Sequence, residues 1–212
     1  MKRYILNLLA VLSILCASTS ALAESDITLP AYNTKSPIMR VFGQSSAPVG
    51  FIKFCAITPQ DCRRSRKYNG RFDLTPDRWR ELEEVNHIVN TTVLPVTDKE
   101  LYGEVERWSY PKRYGDCEDY VLLKRKLLAE RGWPVSALLI TVVRDEIGDG
   151  HAVLTVRTLQ GDFLLDNKRE DVLVWHKVPY EYVKRQSYLN PALWVSLRPQ
   201  GRAARINRTT VR

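Results

Sequence analysis

The stretch "DCEDYVLLKRKLLAERG" (residues 116–132) decides the fold, because it has the pattern of an amphipathic helix with a cysteine in its first turn. Charged residues separate apolar ones at helical spacing; the apolar positions include Val121, Leu122 and Leu128. Gly132 ends the pattern and Pro134 follows it, as is usual after a helix. The sequence therefore predicts one long helix, with a face that must be buried against another layer.

The first turn of this helix holds Cys117 among three acids, Asp116, Glu118 and Asp119. Asp116 is expected to cap the helix, and Asp119 fits a variant of the capping box. The start of a helix favours a thiolate, but neighbouring carboxylates disfavour one. Cys117 is therefore either an inert core thiol or a nucleophile whose acidic neighbours are offset by something else.

A second helix is predicted over residues 75–93, "TPDRWRELEEVNHIVNTTV", with Thr75 as N-cap and Pro76 at the first helical position. Three strand patterns follow the cysteine helix: residues 136–145, 151–159 and 163–167. Two further segments, 172–175 and 192–199, fit edge strands. This layout predicts a single α+β domain, with the helix that carries Cys117 packed on an antiparallel sheet.

The N-terminus has the pattern of a secretory signal peptide over residues 1–23. Lys2 and Arg3 precede a short apolar run, and Ala21-Leu22-Ala23 is a small-x-small cleavage signal. An uncleaved anchor is the alternative. We expect cleavage after Ala23, export to the periplasm, a domain over residues 24–200 and no membrane-spanning segment in the mature chain.

The charge of the mature chain is moderately basic and uneven. Removing Lys2 and Arg3 changes the net charge from +8 to 8 − 2 = +6. Residues 198–212 hold five arginines and no acid. We interpret residues 201–212 as a flexible, solvated tail; contact with anionic lipid or polysaccharide is the alternative. We expect no nucleic-acid partner.

Three cysteines remain after cleavage at Ala23. Cys55 and Cys62 flank a turn that contains proline, and two close cysteines in an exported protein usually form a disulfide. Cys117 is then left without a partner. An odd cysteine in a secreted protein is either a reactive thiol or a buried structural one.

Cys117, His151 and Asp166 occupy positions that an antiparallel meander can bring together. Cys117 begins a helix, His151 opens the second strand of the meander and Asp166 ends the third. A histidine in this arrangement takes the thiol proton, and the aspartate fixes the orientation of the imidazole. Each residue also has a simpler interpretation, since His151 fits an exposed turn and Asp166 begins a turn-forming Asp-Asn pair.

The local text around these residues resembles a known family. "YGDCEDYVLLKRKLLAERGWP", "GHAVLTVRT" and "GDFLLDN" are similar to the bacterial transglutaminase-like cysteine peptidases, as is "APVGFIKFCAITPQDC" nearer the N-terminus. The resemblance covers roughly residues 38–200. It implies a papain/transglutaminase-like fold, with Cys117 as nucleophile, His151 as general base and acid, and Asp166 as orienter.

The resemblance also implies calcium dependence, with Asp116 and Glu118, and less directly Asp119, as ligands. Calcium takes carboxylate oxygens and would offset the acids beside Cys117. The alternative is that these acids only favour the helix start. The Cys117 N–H is a candidate oxyanion donor, and Trp108 is either an active-site aromatic or a core residue.

The predicted function is that of an exported cysteine endopeptidase. The resemblance implies a surface or periplasmic protein as substrate, with a large surface adhesin of a biofilm as the family's example, and an inner-membrane receptor as regulator. An acyl transferase uses the same thioester intermediate, and a non-catalytic periplasmic binding protein would keep only the fold. The intact set of Cys, His and Asp argues against the last.

Overall fold

The computed structural model describes residues 37–63 and 70–199. The expected signal peptide and basic tail lie outside these residues. The helices are α1 (Val49–Ile57), α2 (Pro76–Thr92), α3 (Asp98–Tyr102) and α4 (Cys117–Glu130). The strands are β1 (Gln44–Ser45), β2 (Leu94–Pro95), β3 (Tyr114–Gly115), β4 (Leu138–Arg144), β5 (Gly150–Thr158), β6 (Gly161–Asp166), β7 (Arg169–Val174), β8 (Glu181–Gln186) and β9 (Trp194–Ser196).

Seven of these strands form one antiparallel sheet in the order β1-β9-β8-β4-β5-β6-β7. The predicted α+β class and the meander of β4, β5 and β6 are confirmed. Segment 172–175 overlaps the second half of β7, and segment 192–199 contains β9. Strand β8, which lies between β9 and β4, was not predicted. The pairing of Val143 with His151 sets His151 at the end of the sheet where β5 begins.

The two long helices cover one face of this sheet. Helix α2 begins as predicted, since the Thr75 side chain accepts a hydrogen bond from the Arg78 N–H. The apolar residues of α2 and α4 join those of β4, β5 and β6 in one core. Its fully enclosed members include Leu82, Val85, Val89, Leu122, Leu128, Ile140, Leu154 and Leu165. The opposite face is covered too, by Met39 and Leu197 among others.

Helix α1 was not predicted from the sequence. It begins at Val49 and carries Cys55. Cys55 and Cys62 are bonded, which confirms the predicted disulfide, and Cys117 is the free cysteine of the described residues. Within residues 37–63 and 70–199, no helix is long and apolar enough to cross a membrane.

A short parallel ladder of β2 with β3 closes the loop of residues 96–113. Leu94 pairs with Tyr114, and Pro95 pairs with Gly115. The loop contains α3, which begins with a capping box of Thr97 and Glu100 and ends at Gly103 with a φ of 73°. Because β3 is followed almost at once by α4, loop 96–113 lies against the start of the cysteine helix.

Candidate active site

Cys117 is the first residue of α4, as predicted, but the acids around it do not cap the helix. Asp116 is the N-cap residue and makes no side-chain cap hydrogen bond. Its Oδ2 instead accepts from the Asp98 N–H at 3.2 Å, and Asp119 Oδ1 accepts from the Ser109 N–H at 2.8 Å. The capping-box prediction was therefore wrong, because both carboxylates bind backbone donors of loop 96–113.

Gly115 allows this close approach of loop and helix. A Cβ atom at this position would lie 2.8 Å from both Cβ and Oδ2 of Asp119. Real Cβ contacts essentially never reach this distance. The glycine before the helix is thus required by the buried carboxylate of Asp119.

His151 and Asp166 form a buried hydrogen-bonded pair at the end of the sheet. His151 Nε2 lies 2.8 Å from Asp166 Oδ1, and the two side chains are 2% and 1% exposed. The interpretation of His151 as an exposed turn residue was therefore wrong. An ionised carboxylate only accepts hydrogen bonds. Nε2 therefore carries the hydrogen, which leaves Nδ1 as the acceptor nitrogen of the ring.

Three donors keep Asp166 ionised in its buried position. Oδ1 also accepts from the Lys168 N–H at 3.0 Å, and Oδ2 accepts from the Tyr180 hydroxyl at 2.7 Å. Burial alone would raise the pKa of Asp166, but the hydrogen bonds from His151, Lys168 and Tyr180 outweigh it and lower the pKa. A lowered pKa keeps the carboxylate charged, as an orienting partner of the imidazole requires.

Cys117 and His151 line the same cavity of about 610 Å³. A second cavity of about 310 Å³ shares Cys117 and His151 and extends toward Asn167 and Lys168. The walls of the first cavity are mixed in chemistry and include Pro48, Val49, Val105, Glu106, Val142 and Lys184. Both cavities therefore border Cys117 and His151, and together they give room for a bound chain segment.

Trp108 forms part of the core and of the first cavity. Its side chain is 6% exposed and lies edge-on to Phe51, with ring centroids 5.6 Å apart. The indole N–H donates to Glu106 at 3.2 Å. Trp108 also lines the cavity that contains Cys117. Both interpretations of this tryptophan therefore describe part of its role.

The Cys117 thiol is protonated in its present surroundings. It donates to Glu118 Oε2 at 3.1 Å. Burial raises the pKa of the thiol well above its usual value, and the negative charges of Glu118 and Asp116 raise it further. A hydrogen bond from the Ala152 backbone opposes these effects and is the weaker influence. The carboxylates beside Cys117 therefore disfavour its thiolate in the structure, as the sequence indicated.

A cluster of three carboxylates lies beside the thiol, formed by Asp98, Asp116 and Glu118. One carboxylate oxygen from each lies within 4.8 Å of the others. Asp116 Oδ1 is buried and has no hydrogen-bond partner among the described residues. Burial and the charge of Asp116 raise the pKa of Glu118 to about 8. Burial also raises the pKa of Asp98. These residues fit a hard cation, because it takes carboxylate oxygens and would relieve their mutual repulsion.

Asp119, the third ligand implied by the resemblance, stands outside this cluster. Its Oδ1 is engaged by the Ser109 N–H, and burial raises its pKa to about 7. The structure instead brings Asp98 to Asp116 and Glu118. Asp98 comes from α3, which the sequence did not predict. A sequence signal existed in the text "VTDKE", where Thr97 and Glu100 form a capping box around the aspartate.

A family assignment is available for most of the chain. Residues 41–202 match the family described as bacterial transglutaminase-like cysteine proteinase BTLCP. The chain belongs to this family. It is therefore a cysteine peptidase, and its substrate is a protein. No curated protein matches this BTLCP proteinase by sequence.

A solved structure of LapG from Legionella pneumophila shares the fold of this BTLCP proteinase. A calcium-bound LapG structure is 23% identical, with a TM-score of 0.50, over 61% of this chain and 74% of that chain. A second LapG structure and an EGTA-treated one are each 25% identical with a TM-score of 0.45 over 54% of this chain, covering 67% and 65% of those chains. The family match and the calcium-bound LapG structure confirm the transglutaminase-like fold expected from the sequence.

Proposed function

We propose that this BTLCP proteinase is an exported cysteine endopeptidase that works through Cys117, His151 and Asp166. The observation that carries the proposal is the buried His151–Asp166 pair at 2.8 Å, whose histidine lines one cavity with the free thiol of Cys117. Asp166 holds Nε2, so Nδ1 is the nitrogen available to the thiol. This division of the two ring nitrogens is what a nucleophile, base and orienter require.

The proposed reaction proceeds in two halves. His151 takes the Cys117 proton, and the sulfur attacks the carbonyl carbon of the scissile peptide bond. The C–N bond breaks, the imidazolium gives its proton to the leaving amine, and a thioester remains on Cys117. Water then loses a proton to His151 and attacks the thioester carbonyl, the C–S bond breaks, and the proton on His151 returns to the Cys117 sulfur as the carboxylic acid product leaves.

We assign the Cys117 backbone N–H as one donor to the oxyanion that forms during attack. It occupies the first position of α4, where backbone N–H groups have no acceptor within the helix. A donor at this position lies on the same residue as the attacking sulfur. Stabilisation of this kind is usually a large part of the catalytic effect.

We further propose that calcium binds Asp98, Asp116 and Glu118. The fold relative LapG has been solved in a calcium-bound form. When bound, calcium supplies positive charge beside the thiol. Glu118 would then give its oxygens to the cation rather than accept the Cys117 proton, and the thiol would be free to turn to His151. Asp116 would gain a partner for its otherwise unpaired Oδ1.

We place the mature protease in the periplasm, released by cleavage after Ala23. The disulfide of Cys55 with Cys62 is consistent with an oxidising compartment. The family resemblance suggests a large surface adhesin as substrate and an inner-membrane receptor as regulator. The basic tail, residues 201–212, is assigned no part in cleavage.

The test is co-expression of the full chain with the N-terminal fragment of a large surface adhesin from the same genome. Cys117→Ala, His151→Ala and Asp166→Ala should each abolish or strongly reduce cleavage on a gel. His176→Ala is the matched control, because His176 lies outside both cavities that contain Cys117. Full cleavage by the Cys117 variant would exclude the assigned nucleophile.

A second experiment tests calcium separately. The purified chain is treated with EGTA, and labelling of Cys117 by iodoacetamide is followed by intact mass with and without added calcium. Calcium should accelerate labelling and restore cleavage. Asp98→Asn should weaken this response, whereas Asp149→Asn, a cavity acid outside the cluster, should not. Equal rates in EGTA and calcium would exclude the metal site.

A further inference from the structure

Tyr180 contacts both the proposed catalytic histidine, His151, and the aspartate that orients it, Asp166. It lies between β7 and β8 and is 7% exposed. Its hydroxyl donates to Asp166 Oδ2 at 2.7 Å. Its ring meets the His151 ring edge-on, with centroids 5.7 Å apart and planes at 81°. One side chain therefore contacts both the aspartate and the imidazole.

The two oxygens of Asp166 have separate tasks. Oδ1 accepts from His151 Nε2 and from the Lys168 N–H. Oδ2 accepts from Tyr180, and the Arg169 Nε lies farther away at 3.9 Å. Without the Tyr180 hydroxyl, this buried oxygen loses its short hydrogen bond. The carboxylate could then rotate and shift Oδ1 away from the histidine.

The Tyr180 hydroxyl keeps its proton, which it needs in order to donate. Burial raises the pKa of Tyr180, and the neighbouring Asp166 carboxylate raises it further. The Arg169 guanidinium carbon lies 5.5 Å from the ring centroid and covers the ring. The phenol is thus held in one orientation by charge and by packing.

We propose that Tyr180 is a positioning residue that fixes the Asp166 carboxylate through its hydroxyl and the His151 ring through its aromatic edge. The inference rests on the proposed triad, because a residue that positions Asp166 matters only if Asp166 orients the base. Tyr180 is not among the residues that line the large cavity, so it should affect turnover and leave substrate binding unchanged.

Tyr182 provides a matched control two residues away. It is also a partly enclosed tyrosine whose hydroxyl makes a short hydrogen bond, at 2.6 Å, and whose ring lies edge-on to a neighbour. Its hydroxyl donates to the Trp175 carbonyl, so this hydrogen bond holds neither Asp166 nor His151 in place. Loss of the Tyr182 hydroxyl therefore reports the effect of losing a tyrosine hydrogen bond elsewhere in the same region.

The experiment measures kcat and KM for adhesin-fragment cleavage in calcium-containing buffer, with folding checked by circular dichroism. Tyr180→Phe should lower kcat about tenfold with KM within about twofold, because one hydrogen bond to a charged group is lost. Tyr182→Phe should leave both constants within about twofold of wild type. Tyr180→Leu, which also removes the ring edge, should lose more kcat than Tyr180→Phe.

A double-mutant cycle separates this inference from the proposed function. In an Asp166→Ala background, Tyr180→Phe should cause no further loss of kcat, because the carboxylate that the Tyr180 hydroxyl holds is already absent. An equal loss in both backgrounds, or a Tyr180→Phe kcat within twofold of wild type, would overturn the positioning role. Full activity of Asp166→Ala alone would overturn the proposed triad itself.

Discussion

Lys124 lies in the middle of α4 with none of its surface exposed, and replacing it tests how far burial has shifted its pKa. Its Nζ donates to Asn86 Oδ1 of α2 at 2.7 Å. Burial lowers the pKa of Lys124 from 10.5 to about 7, although Asp166 and Glu170 oppose the shift. The native chain therefore releases this proton at a pH where the unfolded chain retains it.

The sign and size of the effect on stability follow from this difference. Below about pH 7 both states carry the proton, and the destabilisation is constant. Between pH 7 and 10.5 the unfolded state binds more protons, so the free energy of unfolding rises with pH. From pH 7 to pH 9 the contribution of Lys124 rises by about 2 kcal/mol.

Urea denaturation of the wild type and Lys124→Met at several pH values measures this contribution. The difference in the free energy of unfolding, wild type minus variant, should grow by about 2 kcal/mol between pH 7 and pH 9. Lys126→Met is the control, since Lys126 lies on the same helix but is exposed and pairs with Glu130. A difference that stays constant with pH would refute the buried-lysine argument.

Three further changes test other contacts. At pH 9, above the Glu118 pKa of about 8, Glu118→Gln removes a negative charge beside the Cys117 thiol, so Cys117 should react severalfold faster with iodoacetamide in EGTA; an unchanged rate contradicts this. Cys55→Ala opens the disulfide and should lower the free energy of unfolding by about 2 kcal/mol in urea; an unshifted midpoint would count against it. Gly50→Ala sets a Cβ 2.4 Å from Trp108 Cδ1 and should destabilise the chain by about 1–3 kcal/mol in the same assay. Wild-type stability of Gly50→Ala would show that Trp108 moves away from the added Cβ without cost.

The elements that bury an apolar face were predictable from the sequence. Helices α2 and α4 show helical spacing, and the strands of the meander are apolar because both faces of the sheet are covered. The chain order of Cys117, His151 and Asp166 was also sufficient to predict that the last two meet. Periodicity predicts these segments correctly because their apolar positions are set by which side chains the fold buries.

Strand β8 shows where the sequence pattern fails. Its text, "EYVKRQ", is mostly polar, yet it lies inside the sheet between β9 and β4. Arg185 is buried because it pairs with Asp162 at 3.1 Å, and Gln186 is buried because its Oε1 accepts from the Ile140 N–H at 3.0 Å. These partners are distant in the chain. Propensity and periodicity do not detect partners of this kind.

Tyr180 and Asp98 were missed for the same reason. The proposed role of Tyr180 depends on its hydrogen bond to Asp166, which lies 14 residues before it in the chain. The proposed role of Asp98 depends on carboxylates at the far end of loop 96–113. The acids beside Cys117 were candidate ligands in the sequence because they adjoin the cysteine in the chain. Asp119 adjoins it too, and its carboxylate is engaged by loop 96–113 instead.

If calcium binds at the proposed site, its affinity depends on the conformation of the whole of loop 96–113, because this loop carries Asp98. Asp98 is preorganised through the backbone bonds that tie the loop to Asp116 and Asp119, so little ordering entropy remains to oppose chelation. A change remote from the ligands should then weaken binding. Gly103, whose φ of 73° ends α3, is such a position, since a side chain there would strain the segment that presents Asp98.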